Sequence, residues 1–349
     1  MDSKTSELIE ELAQTHQLSR EGFEYLVSHQ DDETAATLAA RAVAAREPYF
    51  GKKVFVRGLI EFSNICKNDC LYCGLRASNK DLARYRLSAD DILACTDVGY
   101  DLGFRTFVLQ SGEDGWFDDD RLCDIVSSIH TRHPDCAITL SVGERSRQSY
   151  ARLRDAGADR YLLRHETADA QHYAQLHPQT MSFDNRMRCL YDLRELGYAV
   201  GVGMMVGSPY QTPAHLAADL AFIASFKPDM CGLGPFVPHH ATPFANMPAG
   251  TLEQTCYLLS IVRLIHPAIL LPATTALGTI DPLGREKGMQ AGANVVMPNL
   301  SPTDVRTKYT LYDGKICMGD EAAECRRCLD LRMERIGYEV VVDRGDPPV

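Results

Sequence analysis

The sequence lacks three features that would point to a nucleic-acid or membrane partner. Lysine and arginine number 36 against 47 aspartate and glutamate residues, which gives a formal net charge of −11 and leaves no dominant basic surface. No apolar run approaches the roughly 18 residues that cross a bilayer. The first eleven residues also lack the basic and apolar regions of an export signal. We therefore expect a cytoplasmic protein that binds neither nucleic acid nor membrane.

The size and composition are those of a globular chain with an unusual number of cysteines. The 349 residues allow one large domain with extensions or two modest domains, and 45% of them are hydrophobic and 24% charged. Twelve are cysteine. In a reducing compartment structural disulfides are not expected, so grouped cysteines indicate metal or redox chemistry.

Apolar segments rich in β-branched residues alternate with segments of helical spacing along the middle of the chain. We predict eight strands, over residues 54–61, 106–110, 137–141, 160–163, 199–206, 230–234, 268–272 and 294–298. Helices are predicted between them, over residues 88–102, 118–131, 144–156, 183–196, 213–226, 251–264 and 284–292. Alternation of this kind is typical of a parallel sheet, and eight units predict an α/β fold with a complete (β/α)₈ barrel of the TIM type. A doubly wound open sheet is the alternative.

Helical segments flank the predicted barrel. We interpret residues 1–49 as an N-terminal extension with two helices, residues 50–302 as the barrel, and residues 303–349 as a helical tail packed on the barrel. Loops rich in glycine and proline follow several of the predicted strands. In a barrel, the loops at that end of the strands carry the active site.

The strongest motif is Cys66-x₃-Cys70-x₂-Cys73, directly after the first predicted strand. Three thiolates at this spacing can hold three corners of a 4Fe–4S cluster. The fourth iron is then open to the amino and carboxylate groups of S-adenosylmethionine (SAM), which suits radical generation. The alternatives are a structural zinc site with a distant fourth ligand and three unligated core cysteines, but no paired C-x₂-C follows within fifty residues.

A second group, Cys317-x₇-Cys325-x₂-Cys328, lies in the tail. It also supplies three thiolates, and we predict an auxiliary iron–sulfur cluster there, with a zinc site or an unfilled site as alternatives. The other six cysteines are isolated within strand or helix patterns. They are interpreted as small buried side chains.

Several further motifs carry a family resemblance. They are residues 61–64 and 70–76 around the cysteines, 84–86, 108–114, 160–167, 272–276 and 314–317. Over about residues 50–330 the sequence resembles the radical SAM superfamily and, within it, the HydE maturases of FeFe hydrogenase. The resemblance implies a 4Fe–4S cluster at the barrel mouth, with SAM cleaved to a 5′-deoxyadenosyl radical. The radical would act on a cysteine-derived, iron-bound precursor during H-cluster maturation.

The resemblance also implies partners and cofactor contacts. The expected partners are a maturation scaffold protein, a partner maturase and an electron donor. Gly112, Glu113 and Asp114 would receive the methionine amino group of SAM, although Gly115-Trp116 follows where the family is expected to have proline. Glu166 would hold the ribose hydroxyls, Arg186 the methionine carboxylate, and the Tyr72 backbone the adenine. A plain turn, a buried salt bridge and a solvated helix arginine are the ordinary alternatives for these residues.

Polar residues at or near the predicted strand ends are candidates for substrate contact, because a barrel interior is normally apolar. They are Ser111, Thr139, Arg160, Arg164, Thr274 and Thr275, and Tyr309 and Tyr312 are expected to close the mouth from the tail. Internal hydrogen bonding is the alternative for each. His239 and His240 suggest a metal pair, but adjacent side chains in an extended loop diverge, so a loop-ordering role is favoured.

Two competing functions stay open at this point. A methylornithine-synthase-like radical SAM mutase would share much of the barrel sequence, but the tail cysteines argue against it. A non-catalytic iron–sulfur scaffold or carrier would need the cysteines without the SAM contacts.

Overall fold

The computed structural model describes residues 1–319 and 322–348, without the side chains of residues 322–325. Six parallel strands form one sheet in chain order: β2 (Gly58–Ser63), β3 (Thr106–Ser111), β4 (Ala137–Ser141), β5 (Arg160–Leu162), β6 (Ala199–Val206) and β7 (Met230–Pro235). A second sheet has β1 (Lys53–Val56) between β8 (Val295–Val296) and β9 (Glu339–Val341). Single parallel bridges, Met230 to Leu270, Pro272 to Val295 and Leu59 to Asn299, close the ring. The predicted (β/α)₈ barrel is confirmed.

Helices surround the barrel and extend it at both ends of the chain. The N-terminal extension has α1 (Ser3–Thr15), α2 (Arg20–Ser28) and α3 (Asp32–Phe50). The barrel helices are α4 (Ala89–Asp101), α5 (Asp119–Arg132), α6 (Arg147–Asp155), α7 (Ala170–Leu176), α8 (Phe183–Glu195), α9 (Pro213–Phe226), α10 (Leu252–Ile265), α11 (Thr275–Ile280) and α12 (Gly284–Gln290). The tail has α13 (Thr303–Arg306) and α14 (Ala322–Arg335). Within the described residues, none of these helices is long and apolar enough to span a membrane.

The structure differs from the predicted elements in four places. The first predicted strand is divided at Arg57, because β1 pairs with β8 and β9 whereas β2 pairs with β3. The seventh forms only isolated bridges, since Pro267 and Pro272 have no backbone N–H to donate. The N-terminal extension has three helices rather than two, and the tail adds β9 beside β1, so it is not purely helical.

The parallel strands place their carboxyl ends at one face of the barrel. The loop that carries Cys66, Cys70 and Cys73 follows β2 at this face, which we call the mouth. Residues of the C-terminal tail contact the barrel at both of its ends. Residues 308–313 contact the mouth through Asn64 and Gly74, while Arg344 and Asp346 lie at the opposite end beside Arg160.

Candidate active site

The cysteine loop is fixed mainly by one arginine. The Arg84 guanidinium donates to four backbone carbonyls of the loop, those of Asn64, Leu75, Arg76 and Asn79, at 2.6–3.0 Å. Asn64 is fully buried, and its side chain ties the start of the loop to the Ala83 and Lys308 carbonyls. Irregular backbone near the barrel mouth needs partners for its polar groups, and these two side chains supply them.

The three cysteines of the loop are half-buried free thiols. Burial raises the pKa of Cys66 and raises that of Cys70 well above its ordinary value. Burial and the neighbouring Cys66 raise the pKa of Cys73 to about 12. Iron binding therefore has to displace thiol protons, as is usual for cysteine metal sites. The Glu113 N–H donates to Cys66 Sγ at 3.3 Å and stabilises its thiolate.

The spacing of the loop thiols argues against a single zinc ion. Thiolates around one zinc ion lie about 3.8 Å apart, given Zn–S bonds of about 2.3 Å in a tetrahedron. Among the described residues, the only His, Cys, Asp or Glu trio with ligand atoms within 4.8 Å of one another is His239, His240 and Asp313. The three loop thiols are therefore not gathered within 4.8 Å of one another, as ligands of a single zinc ion would be.

Gly112 lies where the turn after β3 passes against the cysteine loop. A Cβ atom at this position would be 2.3 Å from the Ile65 carbonyl oxygen and 2.7 Å from Cys66 Cβ. Only glycine fits without moving the backbone that carries Cys66. Gly112 is therefore required by the close approach of the cysteine loop.

We expect Gly112→Ala to lower the cluster content of the reconstituted protein. The added methyl would displace Cys66, and a misplaced ligand should weaken cluster binding by roughly 10- to 100-fold. Iron and sulfide per chain, measured after anaerobic reconstitution, report the effect. Gly115→Ala is the matched control, because a Cβ there would meet nothing within 4 Å. Equal iron uptake by both variants would contradict this account.

A chain of charged side chains links several predicted cofactor residues. Glu113 Oε2 pairs with Lys67 Nζ at 3.1 Å, and Glu113 Oε1 accepts the Glu144 N–H at 2.9 Å. Glu144 accepts from Arg186 Nε at 2.6 Å, and Arg186 Nη1 donates to the Arg164 carbonyl at 2.6 Å. These contacts bring Glu113 and Arg186 to one side of the mouth.

Glu166 completes this chain with a strained backbone. Arg164 Nη2 donates to Glu166 Oε2 at 2.8 Å. Glu166 itself has a φ of 67°, in the left-handed region that residues other than glycine rarely adopt. Its N–H is held by the Gly203 carbonyl of β6. Strain of this kind concentrates at functional sites.

Tyr72 belongs to the cysteine loop, and its ring is held by His177. His177 Nδ1 donates to the Tyr173 carbonyl, so its Nε2 accepts the Tyr72 hydroxyl at 3.2 Å. Burial lowers the pKa of His177 to about 4, which keeps this ring neutral and able to accept. The Tyr72 ring is thereby fixed against the loop.

Asp114 requires a correction. We predicted a SAM contact, but its side chain is 1% exposed and accepts from Ser63 Oγ, the Trp116 N–H and both Nε and Nη2 of Arg86. These four hydrogen bonds occupy every lone pair of the carboxylate, so the Asp114 side chain is not a free cofactor ligand. Asp114 instead stabilises the turn after β3.

Arg160 also requires a correction. It is the first residue of β5 and therefore lies at the end of the barrel opposite the mouth. Its guanidinium donates to Thr106 Oγ1, the Arg344 carbonyl and Asp346, the last at 2.6 Å. The tail thus occupies Arg160. Thr139 pairs with it in register, deep in the barrel, and the Thr139 hydroxyl is buried without a hydrogen-bond partner among the described residues.

The other candidate substrate residues lie nearer the mouth. Ser111 ends β3 and donates to the Gly112 carbonyl at 2.7 Å. Thr274 precedes α11, and its buried hydroxyl has no partner in the described part of the chain, while Thr275 is the first residue of α11. An unpaired buried hydroxyl is available to a ligand.

Tyr309 and Tyr312 bring the tail over the barrel. Tyr309 is buried and the Lys315 ammonium lies 4.9 Å from its ring centroid. Burial raises the pKa of Tyr312 to about 12. Gly74 donates to the Leu311 carbonyl at 2.9 Å, so the tail and the cysteine loop are in direct contact.

The second cysteine group is only partly described. Cys317 is half-buried, has a φ of 64°, and lies 3.5 Å from Arg285 Nη2. Cys328 is exposed on α14. The thiol of Cys325 lies outside the described residues.

Comparison with known proteins places the chain in a family. The model of the radical SAM superfamily matches residues 60–223. The FeFe hydrogenase maturase subunit HydE of Thermotoga maritima is 43% identical over 339 residues, which cover 97% of this chain and 96% of that protein. The chain belongs to the HydE family of radical SAM enzymes. The cysteine loop at the barrel mouth lies within the residues that match the radical SAM model.

Relatives outside the HydE family share the architecture. The 3-methylornithine synthase of Methanosarcina acetivorans is 29% identical over 333 residues, covering 95% of this chain and 92% of that protein. A crystal structure of methylornithine synthase superimposes with a TM-score of 0.85 at 27% identity, covering 96% of this chain and 97% of that chain. The maturase HydG matches at 0.81 and 18% identity over 96% and 75%, which shows the shared fold alone.

Membership in the radical SAM superfamily implies a 4Fe–4S cluster and SAM as cofactors. The residues of this HydE homologue fit both groups, since three separated thiols face a mouth with paired charges and unpaired hydroxyls. Sequence reasoning missed Arg84, Asn64 and Glu144. For Glu144, the preceding glycine was an available signal in the sequence. Gly143 has a φ of 79°, and a Cβ atom there would lie 2.0 Å from Glu113 Cγ, so only glycine lets this segment pack against Glu113.

The prediction that the His239 and His240 side chains diverge is wrong. Their rings stack with centroids 4.4 Å apart, and His240 and Asp313 pair at 2.8 Å. The Ala241 N–H donates to His239 Nδ1, so the ring proton lies on Nε2. A metal-ligating histidine instead donates its second ring N–H to an acceptor. The arrangement favours the loop-ordering role.

Proposed function

We propose that this protein cleaves SAM reductively and acts on a cysteine-derived, iron-bound precursor during assembly of the H-cluster of FeFe hydrogenase. When bound, the cluster and SAM supply a 5′-deoxyadenosyl radical. The observation that carries the proposal is a chain of contacts from the cysteine loop to the charged residues: the Glu113 N–H lies 3.3 Å from Cys66 Sγ, and Glu113 is linked through Glu144 to Arg186. A site for an iron cluster and a site for a zwitterionic nucleoside therefore face each other at one barrel mouth.

Each charged residue has a proposed task at this mouth. Arg186 is positioned by Glu144 and would pair with the methionine carboxylate, since a guanidinium binds a carboxylate in two contacts. Glu113 would orient the methionine amino group. Glu166, held by Arg164, would accept hydrogen bonds from the ribose hydroxyls, and the Tyr72 backbone would contact adenine.

Residues deeper in the barrel would hold the precursor. Arg164, Thr274, Thr275 and Ser111 are the proposed contacts near the mouth, and the unpaired Thr139 hydroxyl is a proposed contact further in. Tyr309 and Tyr312 would exclude water by covering the mouth from the tail. Confinement protects a reactive radical from quenching.

An auxiliary iron–sulfur cluster at Cys317, Cys325 and Cys328 is part of the proposal, as are a maturation scaffold protein, a partner maturase and an electron donor. The Cys317 and Cys328 thiols are free, which supports a ligand role. A cytoplasmic location is proposed for the same reason, because the cysteines described carry no disulfide.

Two measurements test this function. Anaerobically reconstituted protein, given dithionite and SAM, is expected to form 5′-deoxyadenosine and methionine. No nucleoside product would favour the non-catalytic scaffold instead. Deletion of the gene is expected to abolish FeFe hydrogenase activity in a host that makes this hydrogenase. Unimpaired hydrogenase activity would contradict the maturation role while leaving SAM cleavage intact.

We expect Glu166→Asn to separate stability from cofactor binding. Asparagine tolerates a φ of 67° better than glutamate, so the melting temperature should not fall. The shorter side chain cannot reach the ribose, and loss of hydrogen bonds to a charged acceptor should raise the SAM Kd at least roughly tenfold. Calorimetric titration of reconstituted protein with SAM measures this. Glu166→Gln keeps the reach and should lose less affinity. Wild-type SAM affinity in the asparagine variant would refute the ribose role.

A further inference from the structure

The residues after the cofactor turn form an exposed feature that the proposed function does not use. Trp116, the one tryptophan of the sequence, is 45% exposed and follows Glu113 by three positions. Its ring is held edge-on by Phe117, with centroids 4.8 Å apart. Two guanidinium groups flank it, Arg121 at 4.5 Å and Arg86 at 5.5 Å from the ring centroid. An exposed tryptophan between arginines has the composition of an interface hot spot.

Two of the three ion pairs around Trp116 have their positive ends outward. Lys67 is 65% exposed while its partner Glu113 is 11% exposed, and Arg86 is 38% exposed over an Asp114 that is 1% exposed. Arg121 and its partner Asp118 are about equally exposed, at 45% and 50%. We call Lys67, Arg86, Trp116 and Arg121 the Trp116 patch.

The acidic residues that follow are paired with arginines, with Asp120 at 81% exposure and its partner Arg152 at 45%. Asp119 and Asp120 at the start of α5 pair with Arg145 and Arg152 of the neighbouring loop and helix. The chain as a whole has a formal net charge of −11. An acidic partner would therefore be repelled by most of the molecule and oriented by the Trp116 patch.

The patch is also close to the cluster ligands. Lys67 follows Cys66 directly, and Cys66 Sγ accepts the Glu113 N–H at 3.3 Å. Three residues of backbone from Glu113 to Trp116 span at most about 11 Å. A partner seated on this patch would bring its own redox centre near Cys66 along a short path through the cofactor turn.

We propose that the Trp116 patch is the docking surface for a small acidic one-electron carrier protein of the ferredoxin class, which reduces the cluster held by Cys66, Cys70 and Cys73. The inference rests on the proposed function, because reductive cleavage of SAM needs an external electron. Low-potential ferredoxins supply electrons singly. In the step, the carrier loses one electron and the 4Fe–4S cluster gains it, with no bond made or broken and no proton moved.

Binding can be measured without turnover. Because the sequence has one tryptophan, 5-fluorotryptophan labelling of the reconstituted protein gives a single ¹⁹F resonance from position 116. Titration with oxidised ferredoxin should shift or broaden this resonance saturably, and 0.5 M salt should reverse the effect. Arg121→Glu should abolish the shift. Tyr191→Ala, which removes an equally exposed aromatic ring from α8, should leave it unchanged.

Kinetics provide the second measurement. Trp116→Ala and Arg121→Glu should each raise the apparent KM for reduced ferredoxin at least tenfold in the formation of 5′-deoxyadenosine. The rate with dithionite should stay within twofold of wild type, which also verifies folding and cluster loading. The inference is overturned by an unresponsive ¹⁹F resonance, or by wild-type ferredoxin saturation in both variants. Absence of 5′-deoxyadenosine with dithionite in the wild type would count against the proposed function, and the ¹⁹F titration would still decide the docking surface.

Discussion

Cys70→Ala should reduce formation of 5′-deoxyadenosine by more than roughly 100-fold and leave the barrel folded. Changes beyond the direct ligands typically cost 10- to 100-fold in metal affinity, and loss of a direct ligand should cost more. The cysteine loop has its own fixation through Arg84 and Asn64, so the fold does not depend on the Cys70 thiol. Product formation per chain after reconstitution, and a thermal melt of the same sample, measure the two effects.

Two cysteine variants serve as controls for Cys70→Ala. Cys123→Ala changes a half-buried, isolated thiol on α5 and should retain wild-type turnover. Cys328→Ala, in the tail, should also retain cleavage of SAM, because the tail group is proposed to be auxiliary. Turnover above a tenth of wild type in Cys70→Ala would show that this thiol is not a cluster ligand. Loss of turnover in Cys123→Ala would show that the assay reports folding.

The features predicted correctly from the sequence are those encoded locally. Membership in the radical SAM superfamily could be predicted from the spacing of Cys66, Cys70 and Cys73, which depends only on neighbours in the chain. Alternation of strands and helices, which sets the barrel, is equally a local property. Asp118 is the residue before α5 and caps it, and Thr212 caps α9 in the same way, so these two helix starts could be located from side-chain chemistry alone.

The features that were missed depend on residues far apart in the sequence. Arg84 binds carbonyls up to twenty positions away, and no local pattern identifies those acceptors. Asp114 was predicted to be a SAM ligand because it belongs to the segment Gly112–Asp114, but its carboxylate accepts hydrogen bonds from Ser63 and Arg86. Arg160 is different, since a signal was available. As the first residue of a parallel strand it had to lie at the end of the barrel opposite the mouth.

A buried ion pair between the barrel and the tail is the largest structural feature that the sequence did not reveal. Lys315 Nζ donates to Glu61 Oε1 at 2.6 Å, to Glu61 Oε2 at 2.8 Å and to the Tyr309 carbonyl at 3.0 Å, which uses all three of its protons. Asn299 donates to Glu61 as well. The side chains of Lys315 and Glu61 are 6% and 1% exposed, so neither charge is solvated by water.

Lys315→Met should therefore lower the free energy of unfolding by about 3–5 kcal/mol, because removing one partner leaves the Glu61 carboxylate buried and uncompensated. The tail should also loosen at the mouth, and Cys317, two residues on, should be alkylated faster. Urea unfolding and mass spectrometry of the labelled Cys317 peptide measure both effects. Lys287→Met breaks a more exposed pair and should cost less than about 1 kcal/mol. Adding Glu61→Met to Lys315→Met should restore most of the stability, since an apolar pair replaces the lone charge. If the double variant is no more stable than Lys315→Met, the loss comes from packing and not from the unpaired charge.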